Sequence, residues 1–166
     1  MKIILFSVLS ISLISASTWQ NIHSSVATHT TLNMQSGDLE NSVMEFNIDG
    51  FHLVPVKTPD GDMYLARLTD GASILEAGAP DIHKFGRSIV IPDDKQMALK
   101  VISSKYVDYE NILIAPSKGN INRNINPTNV AYEYSSIYQQ NLFYPGNIVE
   151  FKDPYILRDV RGQSVV

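Results

Sequence analysis

Proline and glycine interrupt this chain so regularly after Val43 that short strands, not long helices, fit between the breaks. The interruptions are "TPDGD" at 58–62, "TDG" at 69–71, "AGAP" at 77–80, "IPDD" at 91–94 and "YPG" at 144–146. Around them run "VMEFNID", "FHLVPVK", "MYLARL", "RSIVI", "MALKVISSKYVDY", "NILIA" and "YILRDVRGQSVV", with alternating or β-branched apolar residues. Pro-Asp-Gly between the second and third is a hairpin signal. In the long run Leu99, Val101 and Val107 share one face while Ala98, Ile102 and Tyr106 share the other, so a strand covered on both sides is expected there. Only "TNVAYEYSSIYQQNLF", residues 128–143, admits a short helix, and its tyrosines and valine argue against a long one. The expected architecture over residues 43–166 is all-β, an antiparallel sandwich or jelly roll.

At the amino end Lys2 precedes an apolar run from Ile3 to Ile14, followed by Ser15, Ala16 and Ser17. About a dozen apolar residues are too few to span a bilayer, and small residues behind them mark a secretory signal peptide over residues 1–17. The expected location is the periplasm, the cell surface or the medium, with no membrane attachment after cleavage. Residues 18–42, rich in Ser, Thr, Asn and His without sustained periodicity, are expected to form a flexible arm. Cysteine is absent, which removes disulfide staples, Cys-ligated metals and Cys nucleophiles from this chain. The formal charge of −4 is weakly acidic and gives no footprint for nucleic acid.

His23, His29, His52 and His83 fall in no HExxH pattern, and GxSxG is missing, so neither a zinc protease nor an α/β-hydrolase is indicated. Asp60 and Asp62 lack the EF-hand spacing and read as hairpin-turn residues. No metal, cofactor or intrinsic catalysis is expected. Tyr132, Tyr134, Tyr138, Phe143 and Tyr144 read first as packing residues; the alternative is a contact surface of an adhesive or carbohydrate- or peptide-binding module. One stretch has little to bury: "APSKGNINRNINP", residues 115–127, sets Arg123 among the turn formers Gly119, Asn120, Asn122, Asn124 and Pro127. Alone, this reads as a solvent-exposed arginine on a polar loop.

The strings "FGRSIVIPDD", "SSKYVDYENILIAPSKG", "FYPG" and "DPYILRDVRGQ" are longer and more unusual than any four-residue pattern. Over residues 44–166 the chain resembles the N-terminal propeptide of gingipain-type cysteine peptidases. That resemblance implies a β-sandwich prodomain that assists folding of the caspase-like catalytic domain, its partner, and blocks the active site until processing. It also implies that Arg123 matches the loop arginine that enters the primary specificity pocket in arginine-specific members, with Asn122 and Asn124 beside it. Lys118 is the rival if the peptidase prefers lysine. Arg67, Arg158 and Arg161 are weaker candidates, expected to pair with Asp153, Asp159 or other nearby acids across a sheet. Arg87, in "KFGRS", is a candidate processing site on the premise of a flexible, accessible segment.

The chain departs from the family pattern in ending at "RGQSVV", before the further strands, linker and catalytic domain that such proteins carry. A truncated product, a split or degenerate gene and a freestanding inhibitor all fit this, and a terminal strand with open ladder groups or a missing neighbour is expected.

Overall fold

The hairpin signalled by "TPDGD" organises the fold: β4 (Gly50–Thr58) and β5 (Gly61–Arg67) pair antiparallel from Thr58↔Gly61 to His52↔Arg67. In the computed structural model, which describes residues 16–38 and 40–166, ten short strands β1–β10 appear in chain order. The predicted signal segment, apart from Ala16 and Ser17, lies outside the described residues. β1 (Thr18–Asn21) lies along the other side of β4, giving a three-stranded antiparallel sheet in the order β1-β4-β5. β2 (Thr31–Gly37) and β3 (Ser42–Asn47) form a second hairpin with a bulge between Met34 and Ser36. β6 (Ala72–Ser73) pairs with β7 (His83–Lys84), and β8 (Arg87–Val90), β10 (Val160–Val165) and β9 (Tyr155–Leu157) form the remaining sheet in that order. The antiparallel all-β class predicted from the sequence is the class found. Among the described residues the core includes Leu53, Met63, Ala79, Phe85, Ile91, Ala115, Pro116 and Val165.

Several local expectations need correction. Residues 18–42, expected as a flexible arm, carry β1 and β2. Trp19 donates from Nε1 to Ser24 O at 2.8 Å and stacks edge-on against His52 at 4.9 Å. The contact with His52 and the β1–β4 ladder reach a strand about thirty residues away, of which local composition carries no trace. The stretch "MALKVISSKYVDY", residues 97–109, is not a two-sided strand. It forms no strand, and among the described residues none of the amides from Gln96 to Asp108 has a backbone partner. Ile102 and Tyr106 are 73% and 84% exposed. The alternation is present, but no neighbouring strand completes a ladder. In place of a helix over 128–143 stand two 3-10 turns, Pro127–Asn129 and Ser136–Gln139.

Of the three arginines expected to pair with acids across a sheet, Arg67 does so and Arg158 and Arg161 do not. Arg67 pairs with Asp81 (Nη1 to Oδ1, 2.8 Å) across the Ala66↔Ile82 bridge. Among the described residues Arg161 meets no acid; its Nη1 donates to the carbonyls of Pro92, Asp93 and Lys95 at 2.9, 3.0 and 2.6 Å. Arg158 stands in the tight turn between β9 and β10 with φ 56°, and among the described residues it pairs with neither Asp153 nor Asp159. The terminal strand is not open-edged, because β8 flanks it on one side and Glu150 exchanges both backbone hydrogen bonds with Val166 on the other.

Candidate functional site

The segment "NILIAPS" carries apolar residues without a turn signal, and it runs into the molecule beside β5. Tyr64 N donates to Leu113 O at 2.9 Å and Ala115 N to Tyr64 O at 2.8 Å. Ala115, Pro116 and Ser117 are buried against residues 78–81. There Asp81 N donates to Ala115 O (2.9 Å), Ser117 N to Ala79 O (2.7 Å) and Gly78 N to Ser117 O (2.8 Å). These bonds fix the base of the loop to β5 and to residues 78–81.

The chain leaves that base sharply at Gly119, whose φ of 74° suits glycine and whose added Cβ would stand 3.0 Å from Ala77 Cβ. Its N–H donates to the Ser117 hydroxyl at 3.1 Å. Beyond it Asn122 to Pro127 are exposed. Ile125 N donates to Asn122 O at 3.0 Å, a turn that places Arg123 and Asn124 at its two central positions. The return is capped by Asn126, whose Oδ1 accepts from Thr128 N (3.0 Å) and Thr128 Oγ1 (2.8 Å). Across the neck, Lys118 Nζ donates to Pro127 O at 2.8 Å and sits 4.2 Å from the Tyr132 ring centroid. Arg123 makes no ion pair or side-chain hydrogen bond among the described residues. A fully charged, unengaged guanidinium therefore stands at the tip of a loop held at both ends.

Residues 26–166 match the family model described as Propeptide_C25. The chain belongs to that family. This propeptide is 42% identical over 122 residues to gingipain R1 of Porphyromonas gingivalis, covering 74% of the chain and 12% of that relative. It is 38% identical over 130 residues to gingipain R2 of the same species, covering 78% of the chain and 18% of the relative. The chain thus spans less than a fifth of the length of these curated relatives. Among solved structures it resembles a chain in the complex of the RgpB pro- and mature domains of Porphyromonas gingivalis, with TM-score 0.76 and 36% identity over 81% of this chain and 70% of that one. It also shares the fold of a structure concerned with zymogenic latency of gingipain K from that species, with TM-score 0.73, 15% identity, and coverage of 90% and 84%.

The other predicted site residues of the propeptide are placed as follows. Asn122 and Asn124 flank Arg123 in the turn, as the sequence order requires, whereas Lys118 points back to the loop's own end. Arg87 is held in β8 opposite Val165, with Nη2 3.4 Å from Asp70 Oδ2 and its guanidinium 4.0 Å over the Phe85 ring. The segment is therefore laddered, not free as Gly86 suggests. Arg158, like Arg123, is unengaged among the described residues, but it sits on a two-residue hairpin turn without a loop to extend it.

Of the aromatic cluster, Tyr132, Tyr138 and Tyr144 are half-buried, Tyr134 is exposed at its edge, and Phe143 stands 94% exposed, not packed as expected. Tyr138 Oη donates to Ile114 O at 2.9 Å, Tyr134 Oη to Met63 Sδ at 3.3 Å, and their rings meet edge-on at 5.0 Å. Burial, with the nearby negative charges of Tyr134, Asp81 and Tyr144 when ionised, pushes the Tyr138 phenol up, so it stays a donor. Burial and the bond to Glu76 push Tyr144 up to about 12. Gly78 beneath the loop base is marked in the sequence only by the "AGAP" turn signal, and Tyr132 reads there as one of an aromatic cluster, with nothing to tie it to Lys118.

Proposed function

We propose that this chain is a secreted, non-catalytic prodomain that inhibits the active site of a gingipain-like cysteine endopeptidase and assists its folding. Its partner in this reading is the peptidase catalytic domain, and Arg123 is the side chain that enters the primary specificity pocket. The single observation that carries the reading is the free guanidinium of Arg123 at the tip of a loop whose base is buried and hydrogen-bonded. A planar five-donor fork suits an acidic pocket, and once desolvated and paired it anchors an interface. The apolar run behind Lys2 supports export, and the likeness to a chain in a complex of pro- and mature domains supports the inhibitory role.

The test is a titration of an arginine-specific gingipain-type peptidase with the purified chain, read with a small arginine substrate. Competitive inhibition below micromolar chain is expected. A folded chain that leaves the peptidase fully active at micromolar concentration would refute the reading. The folding role is checked by the yield of active peptidase on dilution from denaturant, expected to rise when the chain is added.

A further inference from the structure

Lys118 has the right charge to compete with Arg123, yet its ammonium is already committed within the chain. Its three donors reach the Pro127 carbonyl at 2.8 Å and the face of Tyr132 at 4.2 Å. Residues 118 and 127 are the two ends of the loop that carries Arg123, and the second of them opens the 3-10 turn capped by Asn126. The geometry points to Lys118 as the positioning residue of the Arg123 loop, a clasp across its neck that keeps the turn presented and the two halves of the loop together. This rests on the reading of Arg123 as the pocket residue.

The physical reason is entropic. An open polar loop must be ordered when it docks, and that cost subtracts from affinity. A loop closed at the neck during folding has met most of it beforehand. The same clasp bears on survival in an active site. Hydrolysis after Arg123 adds one water across the C–N bond, leaving a carboxylate on Arg123 and an amine on Asn124. With Lys118 on Pro127 O the two new ends stay beside each other, so loss of water and re-formation of the bond compete with escape.

Three variants test this. Lys118→Met keeps the stem and loses the ammonium, Lys118→Arg keeps a cation with donors, and Tyr132→Leu removes the ring without altering Lys118. Amide exchange across residues 119–126 of the free chain judges the clasp without any peptidase. Inhibition constants and the rate of scission after Arg123, followed by mass spectrometry, judge its role. Lys118→Met is expected to exchange faster, to inhibit roughly tenfold more weakly and to be cut roughly tenfold faster, the combined effect of one charge-assisted hydrogen bond and one exposed cation–π contact. Tyr132→Leu should give part of that effect, and Lys118→Arg should stay near the original chain. A Lys118→Met loop that exchanges, inhibits and survives like the original overturns the clasp. If Arg123→Ala, run in parallel, inhibits as well as the original, it is the Arg123 reading that fails, and the positioning role falls with it even where exchange shows the clasp.

Discussion

Gly78→Ala is the sharpest test of how the loop base is built. Gly78 is buried at φ 80°, its N–H donates to Ser117 O at 2.8 Å, and its carbonyl accepts from Ser135 N at 2.9 Å. A methyl added there meets Ser135 N at 3.0 Å, Ser135 Cβ at 3.3 Å and Glu133 O at 3.4 Å, so backbone must yield. Left-handed geometry costs an L-residue about 1–2 kcal/mol. Disturbing the bond to Ser135 adds about 1 kcal/mol. The smaller entropy of the unfolded alanine chain offsets about 0.4–1 kcal/mol. The net loss is about 2 kcal/mol, which lowers a urea midpoint by about 1 M for a protein of this size. Gly146→Ala, where a Cβ meets nothing within 4 Å, is the control and is expected to change little. The assay is urea unfolding followed by fluorescence of Trp19. A Gly78→Ala midpoint equal to that of the control would refute the junction of residues 78, 117 and 135 as the support of the loop.

Other consequences follow from single groups. Burial, helped by the Arg67 charge, holds His83 below the ordinary imidazole value, against the opposing effects of the Leu68 hydrogen bond and Asp81. A depressed histidine is neutral when folded, so its contribution is complete above about pH 6.5 and is lost as pH falls below that, where the unfolded chain takes the proton first. Urea midpoints should therefore fall on acidification, and His83→Gln should reduce the slope; equal slopes would contradict this. Arg161→Met leaves the carbonyls of Pro92, Asp93 and Lys95 without their common donor, and a loss of about 1–2 kcal/mol in urea unfolding is expected. Amides 98–108, which lack backbone partners among the described residues, should exchange in the free chain far faster than those of β4; protection equal to β4 would contradict the described geometry.

The parts of this fold that were legible in the sequence are those decided by neighbours in the chain. The β4–β5 hairpin was written in its own turn residues, and the register followed. β1 was hidden because Thr18–Asn21 gains order from β4, not from its own composition. The opposite error arose at 98–107, where two-faced apolarity signalled a strand but the fold supplies no adjacent strand. In 128–143 the helical reading lost to tyrosine hydroxyls that bind Ile114 O and Met63 Sδ, drawing the rings toward the sheet. At the site, the turn chemistry of "KGNINRNINP" foretold an exposed Arg123, while the role proposed for it rests on family resemblance. The clasp by Lys118 depends on Tyr132, fourteen residues on, and on a backbone carbonyl whose position no local pattern records.

The most direct test of the central claim is the inhibition constant of Arg123→Ala against that of the original chain, on one arginine-specific gingipain-type peptidase, with Arg158→Ala as the matched control. A buried anchor of this kind is worth about 2–4 kcal/mol, so Arg123→Ala should inhibit roughly 30- to 700-fold more weakly. Arg158→Ala should be nearly unchanged. Equal inhibition by the original chain and Arg123→Ala, or a loss confined to Arg158→Ala, would contradict the account.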